Sequence, residues 1–590
     1  MGVNGIYGLS GSGIDVESMV KVGMMSKQSE YDKMYKKEVK DEWTKSAYSD
    51  FYTSLYKFAN STISNYKMQS TMNAMTAASA NSAVVTATAN GAAASMAHTV
   101  KVTQMSSDAY LLSTAKISRV SDTTSTSTSL SDTAFKSFAQ NSTNSSQYDV
   151  TFKDGTTATV DASAKAFSFT VGDGTTTKEI SYTYSDLADG KTLYDLASDI
   201  SSSGVNIQAN YDATNDSFSM YNKSGGSANT IALTMNASTS DSSGTTITAA
   251  DKTTTISGAM DLFNSFGLGQ YNSEKDSLGS AITFKEGTDN TSTTTGTDGE
   301  VTVDGKSYTG LTSNKLTVSG VTYTFLGLSD STSTTDTSGE TTKTYTPTSV
   351  TVTQDTDSIV SSVKQFVSDY NTMLDSLNDK IYETKYSDYE PLTKSQEAAM
   401  TTTQIEQWNT KAKSGLLYHS QVLRDIVSDM REAVYTPVDS ITTSYNSASA
   451  IGISSSTDQG HLTLNEDKLK KALAADPDCV YQIFGSSQDT AKTGDSIAAA
   501  SDYDNSGIAN RLYDKVIEGY KDIKTYAGTS SETDDSSTLG TLILNLKTKM
   551  SDFKTQMDAY EDLLYKKYDA METAISNLSS QLSIVTGSNS

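Results

Sequence analysis

The sequence predicts an α+β, multidomain chain, with long amphipathic terminal helices of coiled-coil type and a helical frame enclosing an inserted all-β region of one or two domains. Three observations predict it. Residues 541 to 586 contain neither glycine nor proline, and apolar side chains recur at steps of four and three from Leu539, Ile543, Leu546 and Met550 through to Val585. Glycine and proline are equally absent between Gly23 and Gly91. Between these ends, from about Met96 to Pro347, Ser, Thr, Gly, Asp and Asn dominate and short apolar runs alternate as in half-buried strands.

At the N-terminus, Asp15 and Ser18 follow the flexible Ser10-Gly-Ser-Gly13 and suit a helix cap, so a helix is expected from there to about Met68. Its apolar positions are Tyr31, Tyr35, Val39, Trp43, Ala47, Phe51, Leu55 and Phe58. Each step of four overshoots a full helical turn by about 40°, which predicts a stripe that wraps a neighbour. Thr99-Val-Lys-Val-Thr103 alternates as a half-buried strand does. Turn signals at Asp154-Gly155, Gly172-Asp-Gly174, Asp304-Gly305 and Ser319-Gly320 predict hairpins. One helix, 193 to 200, interrupts, followed by strands at 205 to 209 and 217 to 221. The Ser/Thr tracts 121 to 131 and 291 to 295 are expected to bury no core.

Helix returns near Asp357, where Ile359, Val363, Phe366, Tyr370, Met373, Leu377 and Ile381 share a face and the pattern ends before Pro391. Helices near 403 to 414 and 419 to 435 stop at Pro437, and a strand after Gly452 runs into a capped helix ending at Pro477. A last helix, bracketed by Gly540 and Gly587, spans roughly 46 residues and about 70 Å. Tyr560, Leu564, Tyr568 and Met571 make an eleven-residue step there, which relaxes a left-handed supercoil. Such a helix has one narrow stripe and no core of its own. The expected domains are an N-terminal coiled-coil or leg helix (1–75), a strand entry to the frame (76–105), inserted β-rich domains (106–349), a helical frame (350–490) and C-terminal helices that pair with the N-terminus (491–590).

Acidic residues outnumber basic ones by 70 to 45, a net charge of −25, so nucleic acid and anionic membranes are disfavoured unless a local basic patch intervenes, and none stands out. A single cysteine, Cys479, precludes an internal disulfide, and three histidines leave little for a zinc site. No segment approaches eighteen consecutive apolar residues, so no membrane insertion is expected. The first residues lack the features of a secretory signal, which alone reads as cytoplasmic; a specialised export route leaves no such mark either.

Candidates for chemistry are few. Asp502-Tyr-Asp504-Asn-Ser506-Gly507 opens like a calcium loop, but Tyr513 stands where the loop needs a bidentate glutamate, so a turn into a helix at 508 to 520 is expected instead. Cys479 and His461 lack an orienting third group, and Cys479 is expected half-buried beside Val480 and Phe484. His98 and His419 read as surface residues, Asp534-Asp535 as solvated, and the glycines from Gly8 to Gly13 as a flexible lead without a phosphate-binding lysine. No catalytic, cofactor or metal residues are predicted, and the chain does not read as an enzyme. The functional candidates are the terminal stripes themselves: Ile14, Val20, Phe51, Leu55 and Phe58 at one end, and Phe553, Met557, Tyr560, Leu564, Tyr568, Met571, Ile575, Leu578 and Leu582 at the other, because two lone helices bury too little to be stable unless further copies or neighbours cover them.

Several motifs resemble those of one family. Leu9-Ser-Gly-Ser-Gly-Ile-Asp15 with Val16-Glu-Ser-Met-Val20, His98-Thr-Val-Lys-Val-Thr-Gln-Met105, Gly452-Ile-Ser454, Gly460-His-Leu-Thr-Leu-Asn-Glu-Asp-Lys-Leu469, Asp476-Pro477 and Tyr568-Asp-Ala-Met-Glu-Thr-Ala-Ile575 are similar, in order, to signatures of the flagellar filament cap, or hook-associated protein 2, family. The resemblance covers both ends, about half the chain, while the centre matches only in texture. It implies a homo-oligomer, commonly a pentamer, at the distal tip of the bacterial flagellum, outside the cell, that retains flagellin and promotes its folding and polymerisation. It also implies hook-associated proteins and an export chaperone as partners, and export by the flagellar type III route. A second reading is a surface adhesin whose Ser/Thr-rich β domains bind host glycans or mucus; a catalytic insertion is the third and has no acid, base or metal cluster behind it.

Overall fold

The computed structural model describes residues 15–236, 249–272, 276–285, 290–337, 339–456, 459–487, 503–529 and 535–587. Ile14, the glycines before it, Asp502 and Asp534 lie outside these residues. The chain divides into two compact units, one made of Met1–Ala74 with Gln354–Ser590 and the other of Met75–Thr353. Both ends of the sequence therefore build the helical unit, and a β-rich stretch is inserted between them, which is not all-β as expected because helices such as Leu193–Ser202 and Ala249–Phe266 complete its core.

In the helical unit, α1 (Val16–Lys57) begins at Asp15, whose carboxylate accepts the Ser18 N–H at 3.0 Å. The Ser18 hydroxyl and N–H together hold the Asp15 carboxyl below its ordinary range. At Phe58 the helix widens into a π-helical stretch, Phe58–Ile63. A π turn takes up an extra residue and so cancels the rotation that the four-residue spacing accumulates, which lets Leu55, Phe58, Ala59 and Ile63 all reach one core. Helix α2 (Thr356–Ile381) is capped by Asp355, which accepts the Ser358 N–H at 3.0 Å. Ile359, Val363, Phe366, Tyr370, Leu377 and Ile381 are buried as the periodicity predicts, but Leu374 takes the core position expected for Met373. Phe366 packs edge-on against Phe484 at 4.8 Å and Tyr66 at 5.4 Å, tying three distant segments together.

Helix α3 (Gln421–Tyr435) and helix α4 (Ile508–Ala527) complete this core, and Arg511 links them. Its guanidinium is fully buried and donates to the carbonyls of Thr436, at 2.5 Å, and Pro437, at 3.0 Å, just past the end of α3. Pro437 stops the helix, and the arginine satisfies carbonyls that would otherwise be orphaned. Helix α5 (Thr538–Gly587) starts before Gly540, which was expected to precede it. A Cβ at Gly540 would meet the Asp535 carboxylate at 2.2 Å, so glycine here admits an acid at the positive end of the helix dipole. Among the described residues no helix is long and apolar enough to cross a membrane.

The β unit has two cores. One sheet, in the order Met75–Ser79, Thr348–Gln354, Ala97–Gln104, Gly299–Val303, Lys306–Leu311, and a three-stranded sheet, Lys315–Val318, Val321–Phe325, Val85–Ala89, enclose a valine-rich core that includes Val85, Val100, Val102, Val301, Val321 and Val350. The other core is aromatic: helix Ala249–Phe266 presents Phe263 against Phe169 at 4.8 Å and Phe266 against Phe218 at 4.7 Å. The predicted turns at Asp304-Gly305 and Ser319-Gly320 are two-residue hairpins with both residues at positive φ, the conformation that matches the strands' twist.

Three expectations fail in this unit, for related reasons. His98 is buried, not superficial: the Asp304 hairpin folds over it and sets a carboxylate oxygen 2.7 Å from Nδ1. Residues 291 to 295 form a strand paired with Thr230–Met235, and Thr294 is buried. The tract ending at Ser131 runs into the core through Leu130, while fully buried Arg119 takes the Ser127 carbonyl at 2.8 Å and grips Asp216 in a two-pronged pair at 2.7 and 2.8 Å. Low-complexity hydroxyl residues can be buried where neighbouring segments satisfy their polar groups.

The predicted turn at Gly172 to Gly174 contains a carboxylate held strongly in its ionised form. Burial opposes ionisation of Asp173, but N–H bonds from Asn206, Thr176 and Thr175 at 2.7 to 2.9 Å outweigh it and hold the carboxyl at about 2. A carboxyl depressed in the folded state stabilises it above the unfolded value of 3.8 and loses that contribution as pH falls toward about 2. Asp173→Asn is therefore expected to cost the β unit about 2 kcal/mol at neutral pH and to flatten its acid limb between those values, read from denaturant midpoints across pH.

Candidate functional site

The site of interest is the pair formed by α1 and α5, which run antiparallel. Their register is fixed by contacts spaced along both helices. Lys45 pairs with Asp535, Lys547 with Glu42 at 2.6 Å and Glu38 at 3.4 Å, Lys27 lies over the Phe553 ring at 5.2 Å, and Gly23 faces Leu564. A Cβ at Gly23 would stand 2.7 Å from a Leu564 methyl, so the absence of a side chain brings the two backbones close. Burial and the adjacent Glu42 push the Glu38 carboxyl up despite Lys547, and the bond to Glu42 keeps the Lys547 ammonium above its ordinary value. The inner stretch of the pair is thus held by charge as well as by its stripe.

The candidate interface residues fall into three groups. Phe51, Leu55 and Phe58 are buried in the core of their own unit, and Val20, Met557 and Leu564 are buried along the pair. Phe553, Tyr568, Met571 and Ile575 are half-buried, and Tyr560 is exposed. Leu578 and Leu582, both 64% exposed, are joined by Ile584 at 71% on the last turns of α5. The α1 residue facing Leu564 is Gly23, and the described part of α1 ends seven residues further on at Val16, so no described residue of α1 lies opposite α5 beyond about Met571.

Sequence reasoning missed a second apolar face. Val22, Met25 and Leu563 are largely exposed beside buried Val20 and Leu564. Adjacent helical residues point about 100° apart, so doublets such as Met24-Met25 and Leu563-Leu564 cannot both enter one seam, and that was the available signal. A basic cluster was missed as well. A cleft of about 1300 Å³ between α1, α5 and the segment around residues 385–416 is lined by Lys21, Lys33, Lys36, Lys40, Lys385 and Lys554 among others, which corrects the expectation that no such patch exists. The run from Lys33 to Lys40 was visible; the convergence of the others on it was not.

The Cys479 and His461 side chains sit in different settings. Cys479 is fully buried, not half-buried as expected, because the short helix it begins packs into the core, and burial pushes its thiol up to about 12; His461 meets the Asp375 carboxylate. Among the described residues no group of three or more His, Cys, Asp and Glu is placed to hold a metal.

Comparisons with known proteins agree on one family. The model described as the flagellar hook-associated protein 2 C-terminus matches residues 296–580, and that of the N-terminus matches residues 12–109. Flagellar hook-associated protein 2 of Halalkalibacterium halodurans is 25% identical over 584 residues, covering 97% of each chain. That of Thermotoga maritima is 28% identical over 255 residues, 41% of this chain and 35% of its own. Among solved structures, the D1-D2-D3 domains of the flagellar cap protein FliD from Escherichia coli match at 16% identity and a TM-score of 0.46, covering 85% of this chain and 99% of theirs. With both models matched in order and together spanning more than half of its length, the chain belongs to the flagellar hook-associated protein 2 family.

Proposed function

We propose that this chain is a structural assembly protein that caps the distal end of the bacterial flagellar filament, outside the cell, as a homo-oligomer beneath which exported flagellin is retained, folded and polymerised. The observation that carries the reading is the apolar end of α5, where Leu578, Leu582 and Ile584 stand in solvent on a helix with no core of its own. A helix in that state is stable only against another protein surface, and the terminal regions of flagellin, of hook-associated proteins or of sister copies are the surfaces a filament tip offers. Before assembly the same face calls for an export chaperone, and a helix pair held by side-chain contacts alone, with no disulfide to undo, suits passage through the flagellar type III route as an unfolded chain. The relatives named above are described as hook-associated and cap proteins, which supports assembly and lends nothing to a glycan-binding role.

Removing residues 549–590 tests this. Filament elongation is expected to cease in a strain carrying only the shortened chain, as seen by electron microscopy, while residues 75–353 keep their protease-resistant fold. Filaments of normal length from that strain would refute the proposal.

A further inference from the structure

We propose that the lysine-rimmed cleft along α1 receives the last turns of α5 from a second copy of this chain. The inference rests on the homo-oligomeric reading above and names the surfaces that would join the copies. The cleft runs beside α1 from Glu17 to Lys40, about 35 Å of helix, and its floor includes Val20, Met24, Met25, Met557 and Tyr389. Methionine is the side chain best suited to pack an incoming helix of irregular outline. Lysines outnumber carboxylates around it. Lys36 is paired with Glu390 and Lys37 with Asp41, but Lys21, Lys33, Lys40 and Lys385 have no ion-pair partner among the described residues. In a chain of net charge −25 such a cluster is a local inversion of sign.

The last turns of α5 have the complementary chemistry. From Tyr568 to Gly587 it carries Asp569 and Glu572 and no lysine or arginine, and its apolar side chains, Met571, Ile575, Leu578 and Leu582, recur at steps of four and three. Beyond Met571 it extends about 24 Å, so it fits within the length of the cleft. It cannot fold back into the cleft of its own molecule. Helix α5 passes Gly23 at Leu564 and continues unbroken to Gly587, which sets Leu578 about 21 Å further along the helix. Because the cleft and the tail are different surfaces, the contact is head-to-tail, the kind that closes into a ring when the rotation between copies permits.

Two full-length variants test this, Met25→Cys in the cleft and Leu578→Cys in the tail, distinguished by a size tag. Native Cys479 is buried and takes no part. Mixed and mildly oxidised, they are expected to give a disulfide-linked heterodimer well above either homodimer, since bonding requires the two Cα atoms within about 7 Å. Lys33→Glu with Lys40→Glu in the cleft chain is expected to lower that yield about tenfold, and Asp569→Lys with Glu572→Lys in the tail chain to restore it. Absence of the heterodimer, or charge reversal without rescue, overturns the proposal and assigns the cleft to another occupant, such as an acidic partner helix or this chain's own first residues. Filament elongation by the uncrosslinked variants reads the capping role separately, so either idea can fail alone.

Discussion

Replacing Arg119 with methionine is expected to unfold the β unit at a denaturant midpoint far below that of the parent, a loss of about 3 to 5 kcal/mol. Arg119 is fully buried, and both of its terminal nitrogens are spent on the Asp216 carboxylate, which is itself buried and also accepts the Tyr211 hydroxyl at 2.9 Å. Methionine fills much of the same volume but leaves the Asp216 charge with only the Tyr211 hydroxyl to meet it, and the Ile117 and Ser127 carbonyls without the arginine donor. The penalty is one of stranded polar groups, not of lost attraction. Arg119→Met combined with Asp216→Asn should therefore recover part of the loss, because the remaining amide carries no charge. Equal stability of the single variant and the parent would show that the pair is dispensable. The helical unit, followed through its own unfolding transition, should be unaffected by either change.

The second large effect is expected in that helical unit. Phe366→Ala should cost about 3 to 5 kcal/mol, because a buried phenylalanine is replaced by a cavity that its neighbours cannot close. Phe366 sits between Tyr66, on the segment that follows α1, and Phe484, on the short helix beginning at Cys479. Tyr66 is fixed further by donating its hydroxyl to Asp369 at 2.5 Å, one turn along α2. Removing the ring between them uncouples the N-terminal and C-terminal contributions to one core. Thermal unfolding checks the magnitude, and limited proteolysis checks its location, with cleavage expected first after the π-helical stretch. Phe366→Leu should lose far less, since most of the volume is kept.

What was legible in the sequence was whatever local periodicity and turn chemistry decide. The buried face of α2 follows from steps of three and four, and the hairpins at Asp304-Gly305 and Ser319-Gly320 follow from residues that tolerate positive φ. The long C-terminal helix follows from an uninterrupted run. The terminal stripes were legible as stripes, but their fate was not. Phe51 and Leu55 enter a core assembled largely from residues 350 and beyond, while Leu578 and Leu582 stay in solvent, and nothing in the spacing distinguishes the two outcomes. His98 illustrates the same limit from the other side: its burial depends on a hairpin some two hundred residues away. The π turn at Phe58 was hidden because it is the fold's answer to an accumulated phase error, and the sequence states only the error.

The pairing of α1 with α5 also dictates an order of events in time. Glu42 and Lys547 are 505 residues apart, so the contact between them is about as non-local as this chain permits. Any vectorial emergence that begins at the N-terminus presents α1 first and its mate last. Until Lys547 appears, the flank of α1 that will meet it is bare, and loop closure over the whole intervening length must precede the reward. The α1–α5 pair is consequently the final part to zip, and a chain interrupted before Lys547 would fold its β unit yet never close that helical hairpin.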